Sequence, residues 1–141
     1  MNKKDYRYFN LAKSVSYTSN FPKVHIGAVI VNGHDILSVA CNSKRSHPIM
    51  KKLNPLRFSN NTTQKDIDHC KNRIHAEIAC ILKCNKKDLV GASIYVYRES
   101  KNGEIAMCRP CAACMHEIVE CGITDIYYTT EDGLCHEEVA K

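Results

Sequence analysis

The sequence predicts an α/β domain built around one mixed sheet. Three observations carry this: helix-like and strand-like segments alternate along the chain, a hairpin signal stands near the front, and tight-turn signals punctuate the last third. At 141 residues, 44% hydrophobic and with no Trp, the chain suffices for one core and is short for two, so residues 1–141 are read as a single domain.

Asp5 to about Asn20 places Tyr6, Phe9, Ala12 and Tyr17 near helical spacing, and Asn20 with Phe21-Pro22 supplies a stop. Ile26 to Val31 is a buried-strand run, Asn32-Gly33 a turn, and Ile36 to Cys41 the antiparallel answer. Residues 43–73 then form a long polar stretch with two prolines, which predicts a lid or substrate loop containing a short helix. Helical spacing resumes from His75 to about Lys86, and Ala92 to Tyr97 reads as a strand with a hairpin expected at Asn102-Gly103. Pro110 is expected in the first turn of a helix ending near Cys121-Gly122. Asp125 to Thr130 is the next strand, and Asp132-Gly133 is expected to turn the chain into a last strand over Leu134 to Val139.

No apolar run reaches the roughly 18 residues of a membrane helix, and the first residues lack a signal-peptide stretch, so a cytoplasmic, non-membrane protein is expected. Nine cysteines in such a chain read as thiols and metal ligands, not as a disulfide framework, with Cys41, Cys80 and Cys84 as small buried hydrophobes. The net charge of +5 is concentrated: between Ser43 and Arg73 stand eight basic residues against two acidic ones. That segment is read either as a solvated loop or as a phosphate-binding one.

Cys111-Ala112-Ala113-Cys114 opens a helix with two thiols on one face, where unpaired N–H groups favour thiolates. His75, opening another helix, supplies a nitrogen, and two thiolates with one neutral imidazole balance Zn²⁺. Three protein ligands leave the fourth tetrahedral position to water, the mark of a catalytic site. Glu77 stands two residues beyond His75, placed to move protons without binding the metal.

His75-Ala76-Glu77 with Pro110-Cys111-Ala112-Ala113-Cys114 matches the signature of zinc nucleobase deaminases. From the hairpin near Ile26 to its end, the chain resembles the cytidine and deoxycytidylate deaminase superfamily. The resemblance implies a three-layer α/β/α cytidine-deaminase-like fold with a mixed five-stranded sheet, and hydrolytic deamination at C4 of a cytosine ring with Glu77 protonating N3. It also implies a sugar contact from Asn42, a base edge held by backbone around Ala76 and Cys111, and a homo-oligomer. Lys44 is a candidate for a 5′-phosphate and Tyr128 for stacking on the base. Relatives often carry Ser or Thr a few residues before the Pro-Cys pair, where this chain has Cys108-Arg109-Pro110. The antiparallel end expected after Thr130 resembles free cytidine deaminases more than the tRNA and polynucleotide branch.

Cys108 could close a Cys₃His structural site and leave no place for water. His47, His69 and Cys70 could hold a second zinc, as in some deoxycytidylate deaminases. The substrate is read first as a small nucleotide or nucleoside of the dCMP kind. Single-stranded DNA or RNA is second, because the basic segment offers only Phe58 for stacking. A non-catalytic zinc module is third.

Overall fold

The computed structural model describes residues 1–22, 24–57 and 73–139, without the side chains of 54–57. Helix α1, Lys3–Ser16, starts at Asn2, whose side chain accepts from the Asp5 N–H while the Asp5 carboxylate takes the Asn2 N–H. It ends four residues before the expected stop, because Ser16 and Thr18 hydroxyls bind the last carbonyls at Lys13 and Val15 and draw the backbone out of register.

Strands β1 (Ile26–Asn32) and β2 (Asp35–Cys41) form the expected antiparallel hairpin through Gly33-His34, with one bulged residue, Leu37, between the pairs Ile30–Ser38 and Val31–Ile36. Helix α2, Pro48–Arg57, is the short helix inside the long polar stretch. Helix α3, Ala76–Leu82, is shorter than the sequence suggests, because Asn85 turns extended and the chain restarts as α4, Lys86–Leu89. Strand β3 (Ser93–Arg98), helix α5 (Ala112–Glu120), β4 (Asp125–Thr130) and β5 (Gly133–Glu138) complete the chain.

Three turn details differ from expectation. The Asn102-Gly103 turn yields a single bridge, Glu99 to Ile105, and one further bond from the Ala106 N–H to the Arg98 carbonyl, after which the Cys108 N–H turns to the Thr129 carbonyl of β4. Pro110 stands one residue before the α5 N-cap, outside the helix. The last turn is Glu131-Asp132, with Gly133 already in β5, because the Thr130 hydroxyl takes the Asp132 N–H and donates to the Gly133 carbonyl.

The mixed sheet runs β2-β1-β3-β4-β5, with only β3 and β4 parallel. Strand alternation sorts the core. Val29, Val31, Tyr95 and Tyr97 face α1 through Tyr8, Phe9 and Ala12, whereas Ala28, Ile30, Ile94, Val96 and Ile126 face α3 and α5. This is the three-layer α/β/α arrangement. Gly27 lets α1 sit directly on β1: a Cβ there would lie 2.0 Å from the Ala12 carbonyl oxygen.

Candidate active site

His75 is the N-cap of α3 and Cys111 the N-cap of α5, so two helix N-termini meet at one point, at the end of the sheet where β3 finishes. Cys114 follows in the first turn of α5, buried against Ile78, Met50 and Leu53, and α2 thereby backs the cluster. His75 Nδ1 lies 3.2 Å from Cys114 Sγ and 3.7 Å from Cys111 Sγ, and the three donor atoms all fall within 4.8 Å of one another. Bonds of about 2.3 Å to sulfur and 2.0–2.1 Å to nitrogen put tetrahedral ligands about 3.5–3.8 Å apart. The trio therefore fits one tetrahedral ion with a corner left over.

The two thiols are unequal. The hydrogen bond from Cys114 draws the Cys111 thiol down to about 3, with His75 helping, while the same shared proton pushes Cys114 up. The pair thus favours a thiolate at Cys111, the thiol at the helix N-cap, where N–H groups also converge.

Cys108, the rival fourth ligand, is turned away from the cluster. Its buried sulfur donates to the Val96 carbonyl at 3.3 Å and pairs with the Thr129 hydroxyl at 3.0 Å, and burial pushes its thiol up to about 11. A closed four-ligand site is not what these residues build. Among the described residues His75, Cys111 and Cys114 form the only such cluster. His47 of the supposed second site uses its Nδ1 to accept the Ile49 N–H at the start of α2, and His69 and Cys70 lie outside the described residues.

A cavity of about 590 Å³ opens over the cluster, lined among others by Asn42, Ala76 and Glu77. Among the described residues Glu77 is the sole carboxylate in its lining, and it is only 5% exposed. Burial raises its affinity for a proton, partly opposed by His75, so the carboxyl stays above the ordinary range. A carboxyl with raised proton affinity beside this cluster is suited to taking up a proton and giving it back.

Asn42 is fixed by three bonds: its Oδ1 accepts from the Ile26 N–H at 3.0 Å and the Ser19 hydroxyl at 2.7 Å, and its Nδ2 donates to the Val24 carbonyl at 2.7 Å. The second amide hydrogen has no partner among the described residues and is available to a ligand.

Two expected substrate residues are not brought to the cavity. Lys44 is exposed and held through its backbone N–H to Asn20 Oδ1, because Ser43 to Ser46 pair with Arg73 and Ile74 and carry the lysine outward. Tyr128 packs in the core, and its hydroxyl donates at 2.6 Å to Glu137, itself gripped by Arg109 through Nε at 2.7 Å and Nη2 at 3.2 Å. Its ring is therefore spent on packing rather than stacking. Lining residues not singled out from sequence include Phe21, Arg73, Met107 and Arg109. Arg109, beside Pro110-Cys111, was the one with a local signal.

Residues 2–130 match the family model described as "Cytidine and deoxycytidylate deaminase zinc-binding region". The chain is 27% identical to the deoxycytidylate deaminase of Mycobacterium phage D29, over 90% of this chain and 94% of that protein. It is 32% identical to an uncharacterized deaminase in the luxG 3′ region of Aliivibrio fischeri, over 91% of this chain and 75% of that protein. Among solved structures, the apo dCMP deaminase of cyanophage S-TIM5 superposes with a TM-score of 0.62 at 21% identity, over 91% of this chain and 84% of that one. That likeness is one of fold.

Proposed function

The chain belongs to the cytidine and deoxycytidylate deaminase family, and on that premise we propose that it hydrolyses the amino group from a cytosine nucleotide of the dCMP type. The observation that carries the reading is Glu77, a buried carboxyl lining the same cavity as His75 and Cys111, whose ligand atoms lie with that of Cys114 within 4.8 Å of one another.

In this reading His75, Cys111 and Cys114 would hold Zn²⁺, which would act as a Lewis acid and bring the pKa of a water down to about 7. Glu77 accepts the proton of the incoming water as the C4–O bond forms and passes it to N3 of the ring. It then carries the second proton to the amino nitrogen as the C4–N bond breaks, so one water is consumed and one ammonia leaves. The backbone at Ala76 and Cys111 holds the base edge, and the spare Asn42 amide hydrogen takes a sugar hydroxyl. Lys44 and Tyr128 have no part in it.

Deamination of single-stranded DNA or RNA is the second reading, favoured by the basic segment before Arg73. Polynucleotide sites rely on stacking rings, and among the described residues Phe21 is the one benzenoid ring in the lining. Ammonia release from cytidine, deoxycytidine, CMP, dCMP and a cytosine-bearing oligonucleotide separates the readings: reaction of the oligonucleotide alone sinks the first. No helix among the described residues is long and apolar enough to cross a membrane, and the eight described cysteines are free thiols; a cytoplasmic homo-oligomer is proposed from the family resemblance alone. Sedimentation analysis reads the assembly.

A further inference from the structure

We propose that Arg73, seated on the Phe21 ring, reads a phosphate on the substrate and so sets a preference for nucleotide over nucleoside. The assignment rests on the cytosine-nucleotide reading above.

Two arginines line the cavity, and they differ in what holds them. Arg109 already spends two of its donors and its charge on Glu137. Arg73 has no carboxylate within salt-bridge reach among the described residues. Its guanidinium carbon instead lies 5.4 Å from the Phe21 ring centroid, a cation–π seat that orders the side chain without cancelling its charge. An arginine held in place yet still charged is prepared for a doubly charged oxyanion, which it meets with paired N–H donors.

The backbone fixes where that anion would sit. Arg73 precedes His75 by two residues in the segment leading into α3, and alternate residues of an extended segment face the same way. The Ile74 carbonyl accepts the Ser43 N–H, which lays this segment beside Asn42. Glu77, the one carboxylate among the described lining residues, belongs to the end beside His75 and Cys111, so Arg73 is the uncompensated charge that the described lining offers a phosphate. Base at Glu77, sugar at Asn42 and phosphate at Arg73 is the arrangement that satisfies all three.

The test is calorimetric titration of the zinc-loaded protein with the product pair dUMP and deoxyuridine, with zinc content and melting as folding controls. Wild type should bind dUMP about 10- to 100-fold more tightly, the range of a hydrogen-bonded ion contact. In Arg73→Gln the ratio should collapse to within about threefold, whereas Arg109→Gln should keep at least about tenfold. Phe21→Leu should narrow it by about two- to fivefold. Equal binding of both ligands by wild type, or a ratio that survives Arg73→Gln, overturns the assignment. Should Arg73→Gln not fold, an unchanged preference in both Phe21→Leu and high salt overturns it instead. Turnover is read separately: a dUMP preference without ammonia release from dCMP supports Arg73 and refutes the deaminase reading, while equal handling of dCMP and deoxycytidine does the reverse.

Discussion

Glu77 and its neighbours divide binding from turnover at the level of single atoms. If Glu77 carries the protons as proposed, Glu77→Gln keeps the volume and removes that function, so zinc content should stay at the wild-type level while kcat falls about 10²- to 10⁴-fold. Metal analysis beside an ammonia assay checks this, and loss of zinc would show that Glu77 supports the cluster instead. A second titratable group lies farther out. Arg109 and Tyr128 hold the Glu137 carboxyl down to about 2, against about 4.3 for a free glutamate. A depressed folded value stabilises fully above the unfolded one and is lost as pH falls toward the folded one. Glu137→Gln should therefore be less stable than wild type in urea at neutral pH, and the gap should close below about pH 4. Arg109 and Glu137 side chains are 49% and 34% exposed, so the gap is modest. At this scale the sequence shows what is local: His75, Glu77, Cys111 and Cys114 are legible because each pair lies within one helical turn. Phe21 and Arg73 are not, since only tertiary folding brings them together, and Lys44 misleads because adjacency to Asn42 says nothing of which way the chain turns next.

Among the elements, α1 depends on one missing side chain. Gly27→Ala would drive a Cβ to 2.0 Å from the Ala12 carbonyl oxygen and 2.7 Å from the Ser16 nitrogen, both backbone atoms that cannot swing aside. The helix must lift from the sheet, and chemical denaturation should show a loss of about 1–3 kcal/mol or more. An unchanged midpoint would mean that α1 shifts freely on β1. The C-terminus of α5 is set by Gly122 at φ 88°, with Gly122 N–H to Val119 and Ile123 N–H to Ile118 closing a Schellman motif. The Gly122 stop was legible, as was the first hairpin, because both follow from residues needing unusual backbone angles. Pro110 and Asn102-Gly103 misled because proline before a cap and Asn-Gly in a connection serve equally well outside regular elements.

For the molecule as a whole, the cluster of His75, Cys111 and Cys114 joins the starts of α3 and α5, and α2 packs behind it through Met50 and Leu53 against Cys114. Zinc bound only by the folded state adds to stability by mass action, so chelation should lower the melting temperature by several degrees, and restored zinc should return it. A melting curve indifferent to chelator would mean the three residues do not hold the ion. The layered plan was legible from alternation alone, whereas the division of labour between its faces was not. The aromatic residues show that division in optical terms. The chain has no Trp and seven tyrosines. Tyr6 and Tyr8 lie on α1 and Tyr17 is its C-cap, while Tyr95, Tyr97 and Tyr127 belong to the core it covers, with Tyr95 and Tyr127 stacked at 4.3 Å. Tyr128 alone belongs to the other face. Near-ultraviolet circular dichroism is therefore a gauge of α1 docking and is almost blind to the cavity, so a protein stripped of its ion could keep a native aromatic spectrum while its catalytic layer has already loosened.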